Sequence, residues 1–545
     1  MNTGQLPIDL FHWLISLVPI AVLMILLLWR NWKGIEAGPA AMLVAAVLAL
    51  LIFQAPIKTL AVAAAKGMWN AVFILYVVWA ALLLYLVTLR AGAFDALRRG
   101  FMEFSRNELF LVLAIGWVFS TFFQGVAGFG APIAVTAPLL FGIGMKPVFA
   151  ILIPLIAHTS AKMFGTLGVG WLAMLRVADV PDPLRTAVEA AILLGLVNLL
   201  GGLFVTWIYG RGRALLHGLP LILIITAIHG GVQLGMMFVN QTLSMFVAGT
   251  VCLVALFPLS RWKRYAEPAS SIIDRPIMQE KPPESKPAAS SEPGQKAEMG
   301  LGLALFPYIF MTIIALLASG VGPINDLLRQ FRVGLSFPAL ATGFDRIIAA
   351  AAPYSPFALF THPGTYVMVT ALVSLAVYWG KGFYKSPGAE EPSLLANLIK
   401  DSVPSSIAIA SFMVMSKVMD YSGQTSVLAL GLASVASVHS YAFLAGWVGI
   451  LGGLLTFSST AANILFSQLQ VQAAEALPGL NISTVLAAQA AGGTVGTVIA
   501  PANIVIGTGA LRIPGQEGVI LRYALQWTIG TGVIIGIATV ILNLF

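Results

Sequence analysis

Charge is what this sequence has least of. Of 545 residues, 30 are Lys or Arg and 22 are Asp or Glu, while 59% are hydrophobic. A water-soluble chain of this length needs far more charge to cover its surface, so a soluble protein is excluded. Cysteine is close to absent. Cys252 stands alone in an apolar run, which excludes a disulfide framework and a cysteine-built zinc site. Catalytic signatures are missing too. There is no His-Glu-x-x-His, no Gly-x-Ser-x-Gly elbow between strand and helix and no pair of catalytic acids, so an intramembrane enzyme is set aside. No Gly-x-x-x-x-Gly-Lys-Ser/Thr loop is there to use ATP, so a primary pump is set aside as well. Neither a metal nor an organic cofactor is expected. The net charge of +8 comes without basic patches interleaved with aromatics, so nucleic acid is not an expected partner. Lys and Arg gather instead in the cytoplasmic loops of membrane proteins.

What is present is apolar length. Phe11–Trp29, Trp69–Leu89, Ala190–Tyr209 and Tyr523–Leu544 are each long enough to cross a hydrocarbon core. The short alternating segments of a β-barrel are absent. The expected fold is an all-α polytopic membrane protein of roughly 12–16 membrane segments, re-entrant pieces included. The first run is too long for a signal-peptide core and is read as a retained helix. No Lys or Arg precedes it, whereas Arg30 and Lys33 follow it and Arg90, Arg98, Arg99 and Arg106 follow the third span. These loops are placed in the cytoplasm and the N-terminus outside.

One segment breaks the apolar pattern. Residues 261–300 hold seven Lys or Arg, six Asp or Glu and six prolines. Such a stretch cannot bury enough apolar area to offset its ordering entropy, so it is read as a mobile cytoplasmic linker. It divides the chain into an N-terminal membrane half, 1–260, and a C-terminal half, 301–545. The halves echo each other. Gly116-Trp117 precedes a glycine-rich stretch, and His158 follows Trp117 by 41 residues; Gly446-Trp447 precedes TFSSTAANILF (456–466), and Gln489 follows Trp447 by 42. Paired interruptions in corresponding halves predict two inverted repeats with a substrate at their interface. Phe94–Phe104 and Ser393–Asp401 mix apolar and charged residues as interfacial helices do. Asp345-Arg346 is placed at the interface before a span.

The stretch FFQGVAGFGAP (122–132) lies inside one of the most apolar regions. Irregular backbone survives at membrane depth only where protein or a watered cavity surrounds it. Gly125, Gly128 and Gly130 let the chain turn and expose N–H groups, and Pro132 suits the first turn of a following helix. The expectation is a re-entrant tip or broken helix whose N-terminus attracts an anion; close helix packing is the competing use of such glycines. Gln124, Ala131, Thr159, Ser160, Ser458, Ser459, Thr460, Asn463, Gly492, Gly493 and Thr494 join the candidate substrate site. His158 and Lys162, at i and i+4, share a face if helical. His158 is a candidate proton carrier and Lys162 a candidate anion partner; a neutral, backbone-bonded histidine and a snorkelling lysine are the bland alternatives. Lys417 and Asp420, at i and i+3, are read as a structural salt bridge or as an ion-coupling pair. His12, His217, His229, His362 and His439 are left as structural.

FFQGVAGFGAPIAVTAPLL followed by Met145–Pro147 resembles the signature of the lactate permease family. The resemblance continues through Phe164–Gly170, Tyr421–Ala433, Leu454–Gln470 and Ala490–Ile504, nearly the whole chain apart from the linker. It implies a bacterial inner-membrane secondary carrier of lactate, glycolate or a related hydroxy-monocarboxylate. It also implies a proton as the coupling ion, with sodium as the alternative, and elevator-like movement. In the better-known lactate-carrying members the second tip usually bears an acid in a Gly-Ser-Asp-Thr-like run. Here it reads Phe457-Ser458-Ser459-Thr460. Those members also tend to have Asn at the position of His158 and an apolar residue at that of Lys162. A more anionic substrate, a dicarboxylate or a sulfonated acid, fits that change of charge. An anion channel, which also uses polar tips at the midplane, is the further alternative.

Overall fold

The computed structural model describes residues 6–30, 32–102, 105–128, 130–269, 271–279, 299–320, 322–344, 346–384, 393–513 and 515–545. Among them are eleven helices long and apolar enough to cross a membrane, or twelve if a pair bent by 53° counts as one span. That bent pair is Pro147–Ala161 with Gly165–Val177. The 55-residue element Pro183–Met237 leaves helical geometry at Gly210 and Arg211. There it folds back, since Gly202 packs on Ile222 and Gly218 on Thr206. It is a helical hairpin of two arms.

Helix starts follow local chemistry. Asn107, Asp182, Ser393, Ser458 and Asn481 cap first turns with side-chain oxygens, which supplies partners for otherwise orphaned N–H groups. Pro147, Pro183, Pro363 and Pro501 occupy first-turn positions, where a missing N–H costs nothing. Ser393–Asp401, expected as an interfacial piece, instead forms the first turns of the long helix Leu394–Ser422. Ala93–Met102 is a short amphipathic helix; the last two residues of the predicted stretch lie outside the described residues.

Helix packing sorts the elements into two groups, and the groups do not follow the sequence halves. Gly34–Leu51, Ile57–Arg90, Pro363–Gly380 and Leu394–Ser422 pack together as a frame, with Leu10–Met24 and Leu301–Gly320 at its sides. The remaining spans form a bundle. It contains a first hairpin (Glu108–Val126 and Ala131–Gly142), a first broken span (Pro147–Ala157 and Gly165–Val177) and the long hairpin. From the second half come a second hairpin (Val438–Thr456 and Ser459–Ala476), a second broken span (Ile482–Gly496 and Pro501–Leu511) and Glu517–Leu542. Each half contributes to both groups. The bundle's packing is reciprocal: Ala131–Gly142 lies on Pro501–Leu511, and Gly165–Val177 lies on Ser459–Ala476.

The two hairpins open on opposite faces. At the base of the first, Glu108 pairs with Arg275 and Lys146 Nζ donates to Pro276 O at 2.6 Å. At the base of the second, Asp179 N–H donates to Gln468 Oε1 at 3.2 Å and Asn481 N–H to Asn543 Oδ1 at 2.8 Å. On this latter face a short insert adds two antiparallel pairs, Arg332–Phe337 with Ala351–Ala358 and Leu340–Ala341 with Ile347–Ile348. Val333 stands opposite Phe357. The insert includes Arg346 of the expected interfacial pair; Asp345 lies outside the described residues.

The described part of the predicted linker is anchored. Tyr265 is buried, accepts from Leu221 N–H and donates to His217 O, both at 3.0 Å. Lys146 N–H donates to Ile277 O at 2.8 Å, and Gln279 N–H to Gly144 O at 2.8 Å. Residues 271–279 thus form a strap across both ends of the first hairpin. Buried Ile272, Ile277 and Met278 supply the apolar contact that an average over 261–300 conceals. Residues 280–298 lie outside the described residues.

Candidate functional site

Four interruptions of regular helix meet in the bundle: the tips of both hairpins and the breaks of both broken spans. Around them lies a cavity lined by Gln124, Gly128, Gly130, Ile133, His158, Lys162, Gly165, Thr166, Val169, Phe457, Ser458, Ser459, Thr460, Thr497 and Asn503.

The first tip turns at Gly130, whose φ of +86° places it in the left-handed region that glycine enters without penalty. A Cβ there would lie 2.6 Å from Ile506 Cδ1, and one on Gly128 would lie 2.5 Å from Thr166 Oγ1. The positive φ calls for glycine at Gly130, and the close approach of Thr166 and Gln124 calls for it at Gly128. The helix Ala131–Gly142 then starts with its N-terminus at the cavity. The second tip turns at Phe457, with φ of +59°, and Ser458 caps Ser459–Ala476 by accepting Ala461 N–H. A second helix N-terminus therefore faces the same space. Free first-turn N–H groups and the partial positive charge of helix N-termini favour an anion.

The first broken span contributes the ionisable groups. Residues His158–Ala161 form a single 3-10 turn. His158 Nδ1 is bonded to Pro154 O, which leaves Nε2 as the ring's other polar atom. Lys162 Nζ donates to Thr497 Oγ1 in the break of the other half. Thr497 can accept because its own hydroxyl proton goes to Thr494 O at 2.6 Å. Beyond Lys162 the chain makes a left-handed turn through Thr166, Leu167 and Gly168, with φ of 49°, 52° and 76°. Non-glycine residues are strained in that region, and such strain gathers at functional sites. The turn presents Thr166 to the cavity. Asn503 ties the second half together, donating to Thr497 O at 2.9 Å and Phe457 O at 3.3 Å. Among the described lining residues His158 and Lys162 are the ionisable ones, and none is Asp or Glu.

Gln124, Gly128, Gly130, His158, Lys162, Ser458, Ser459 and Thr460 are thus brought together as expected from the sequence. The other candidates lie elsewhere. Gly125 sits inside a helix, where a Cβ would lie 3.1 Å from Phe246 Cα, so its use is packing. Ala131 opens the returning helix with its N–H on Gly128 O at 3.1 Å. Thr159 bonds back to Ile156 O at 2.5 Å, and Ser160 donates to Asn198 Oδ1 at 3.2 Å. Asn463 joins the second hairpin to the first broken span, donating to Gly170 O at 3.2 Å. Gly492 and Gly493 lie where Val438–Thr456 and Ile482–Gly496 touch. A Cβ on Gly492 would lie 1.9 Å from Gly446 O, so these glycines serve close approach of helices. Thr494 bonds back to Ala491 O at 2.7 Å. Ile133, Gly165, Thr166, Val169, Phe457, Thr497 and Asn503 line the cavity without being site candidates in the sequence, although most fall in the motifs Phe164–Gly170 and Ala490–Ile504.

Lys417 and Asp420 lie away from the cavity, at the seam of frame and bundle. They form no direct salt bridge, because each reaches to a different helix. Lys417 Nζ donates to Val177 O at 3.1 Å, and Asp420 Oδ1 accepts from Gln472 Nε2 at 3.1 Å. Lys417, Arg346 and Lys66 are all near enough to act on the Asp420 carboxylate.

Comparison with known proteins gives the arrangement its family. The chain is 26% identical to an L-lactate permease of Escherichia coli (strain K12), over 97% of this chain and 95% of that protein. It is 27% identical to the glycolate permease GlcA of the same strain, with the same coverage. It is 25% identical to an L-lactate permease of Bacillus subtilis (strain 168), over 94% and 92%. Among solved structures, that of the YdaH transporter of Alcanivorax borkumensis aligns over 86% of each chain at 13% identity, with a TM-score of 0.42. The family described as L-lactate permease matches residues 12–545, so the chain is a multi-span membrane transporter belonging to the L-lactate permease family.

Proposed function

We propose that the chain is a secondary carrier of a small hydroxy-monocarboxylate of the lactate or glycolate kind, moved with a proton across a bacterial inner membrane. The observation that carries this reading is the cavity: one lysine, two helix N-termini and several hydroxyls converge where, among the described residues, no carboxylate lines the wall. The substrate carboxylate pairs with Lys162 and the N-terminal N–H groups. Ser458, Ser459, Thr460, Thr166 and Gln124 orient the substrate hydroxyl. His158 carries the coupling proton, through the nitrogen that Pro154 leaves free. Permease relatives that share nearly the whole chain support the substrate class.

The hairpins, opening on opposite faces with reciprocal packing, support two inverted repeats. The bundle then moves against the frame to expose the site alternately. The linker strap shares its face with Arg30, Lys33, Arg90, Arg99 and Lys146, which supports a cytoplasmic linker and an external N-terminus.

A second reading has its own observation. With no acid in the wall among the described residues, a charged Lys162 makes the site positive, which suits a dicarboxylate or a sulfonated acid. Uptake into proteoliposomes decides, using labelled lactate, glycolate, malonate, succinate and a sulfonated acid under a proton gradient, a sodium gradient or neither. Lactate or glycolate accumulating with protons supports the first reading. Accumulation of dianions or sulfonates alone replaces it with the second. Flux that neither saturates nor shows counterflow sinks the carrier in favour of a channel.

A further inference from the structure

Asn503 brings to the anion cavity an amide that cannot turn. It is the third residue of Pro501–Leu511, just past the break of the second broken span, and it is 8% exposed. Its Nδ2 donates to Thr497 O at 2.9 Å and to Phe457 O at 3.3 Å. A carbonyl oxygen only accepts, so both contacts require the NH2 end of the amide on that side. Turned over, the amide would set Oδ1 against two carbonyl oxygens. Both amide hydrogens are therefore committed, and Oδ1 is the polar atom left. Among the described residues it receives no hydrogen bond.

The other polar side chains of the wall have no such fixed sense as acceptors. A charged Lys162 and the first-turn N–H groups of the two tips only donate. The hydroxyls of Thr166, Ser459 and Thr460 rotate, and each serves a donor or an acceptor equally well. His158 Nε2 accepts when the ring is neutral and donates when it holds a proton. Gln124 carries an amide too, but among the described residues no hydrogen bond to its side chain settles which end faces the cavity. Thr497 links the fixed acceptor to the cation: its carbonyl holds the Asn503 amide, and its Oγ1 takes the hydrogen bond from Lys162.

We propose that Asn503 is a specificity-determining residue: with the substrate carboxylate at Lys162, its Oδ1 accepts the hydrogen of a hydroxyl on the neighbouring carbon. The inference rests on the hydroxy-monocarboxylate reading above. In a 2-hydroxy acid the carboxylate and the hydroxyl are adjacent, as the cation and the acceptor are around Thr497. A 2-keto acid of the same length has an oxygen in that place but no hydrogen on it, so two acceptors face each other. An unsubstituted acid displaces water from Oδ1 and puts nothing polar in its stead. Either way a desolvated acceptor is left unpaired, which is costly. A site built to bond a substrate hydroxyl rejects analogues that lack it.

The test is competition against counterflow of labelled lactate, or of glycolate where lactate is not exchanged, in proteoliposomes holding the purified full-length chain. The competitors are lactate, pyruvate and propionate, which share length and charge and differ at the second carbon. Wild type should need about tenfold or more pyruvate or propionate than lactate for half-inhibition. Asn503→Leu keeps roughly the volume of the side chain and removes the acceptor. Half-inhibition by lactate should then rise about tenfold, and the preference over pyruvate and propionate should shrink to within about threefold. Loosened packing at Phe457 and Thr497 would instead weaken all three competitors alike. A preference that persists through such a uniform loss overturns the proposal and makes Asn503 structural. Asn503→Ala carries the same prediction should Asn503→Leu reconstitute poorly. Wild type that takes pyruvate or propionate as readily as lactate overturns the proposal without any variant, and leaves the carrier reading standing. Wild type that exchanges neither lactate nor glycolate sinks that reading, and the hydroxyl preference is then read on malate against succinate. A chain that exchanges none of these overturns both.

Discussion

Two regions of this molecule hold a lysine inside the protein, buried at Lys66 and half-buried at Lys162, and they treat it in opposite ways. In the seam, Lys66 is 2% exposed, donates to the Tyr421 hydroxyl at 2.7 Å and faces the rings of Phe337, Tyr354 and Tyr421 at 4.8–5.3 Å. Lys417 and Arg346 stand nearby, and Asp420 supplies the one carboxylate among them. In the cavity, Lys162 has one hydroxyl partner and no carboxylate in the wall among the described residues. A buried charge is tolerated when it is paired or ringed by hydrogen bonds and aromatic faces. The seam meets that requirement with protein. On the proposed function the cavity leaves it to be met by the substrate, which would separate a structural lysine, Lys66, from a binding one, Lys162.

The largest break in this contrast should come at Lys162. Lys162→Gln keeps a donor for Thr497 and removes the charge. Losing one partner of a desolvated charge pair costs roughly 2–5 kcal/mol, so half-saturation for the transported anion should rise by about 30-fold or more. Concentration-dependent uptake in proteoliposomes measures it, with thermal unfolding in detergent expected to stay near wild type. An unchanged half-saturation would make Lys162 a structural lysine like Lys66.

Asp420→Asn should have the second-largest effect, and on stability rather than on affinity. It leaves Lys66, Lys417 and Arg346 without their shared anion. Removing one member of a buried charge group typically destabilises by about 3–5 kcal/mol. The expected outcome is a clear fall in unfolding temperature, with part of it recovered by adding Lys417→Met. If Asp420→Asn unfolds normally yet abolishes accumulation while keeping counterflow, the seam is an ion-coupling site and the contrast fails.

Ser459→Asp tests the cavity from the other side. It places an acid at the second tip, beside the N-terminus of Ser459–Ala476. An acid there is compatible with the helix dipole and competes with the substrate for Lys162. Monoanion uptake should fall by about tenfold, roughly 1.4 kcal/mol, and any dianion uptake should fall further. Equal loss for both charges would separate Lys162 from charge selection.

The sequence made the first tip legible because glycine, glutamine and proline are out of place in an apolar run. The second polar interruption, at matching spacing, was legible for the same reason, and it lines the same cavity as the first. Thr166 and Thr497 escaped notice because threonine is ordinary in membrane helices; their place in the site depends on a left-handed turn and a break formed only in three dimensions. Gly492 and Gly493 were misplaced because composition does not separate a glycine that exposes backbone from one that admits a neighbouring helix. The division into frame and bundle was invisible, since each half of the chain supplies both. The strap at 271–279 was hidden by its charged and proline-rich surroundings.

Lys66→Met should give the smallest effect, and it is the most discriminating control. The thioether side chain keeps most of the stem's volume and contact with the three rings. What is lost is a hydrogen bond to Tyr421 and the cation–π attraction, each about 1 kcal/mol. Offsetting this, the seam sheds one of three positive charges that Asp420 alone neutralises. The expected net change is within about 1 kcal/mol of wild type, with half-saturation for the anion unmoved, because Lys66 lies outside the cavity wall. Unfolding in detergent and uptake kinetics on the same preparation check both halves. A rise in half-saturation comparable to that of Lys162→Gln would mean that the seam and the cavity share one electrostatic field.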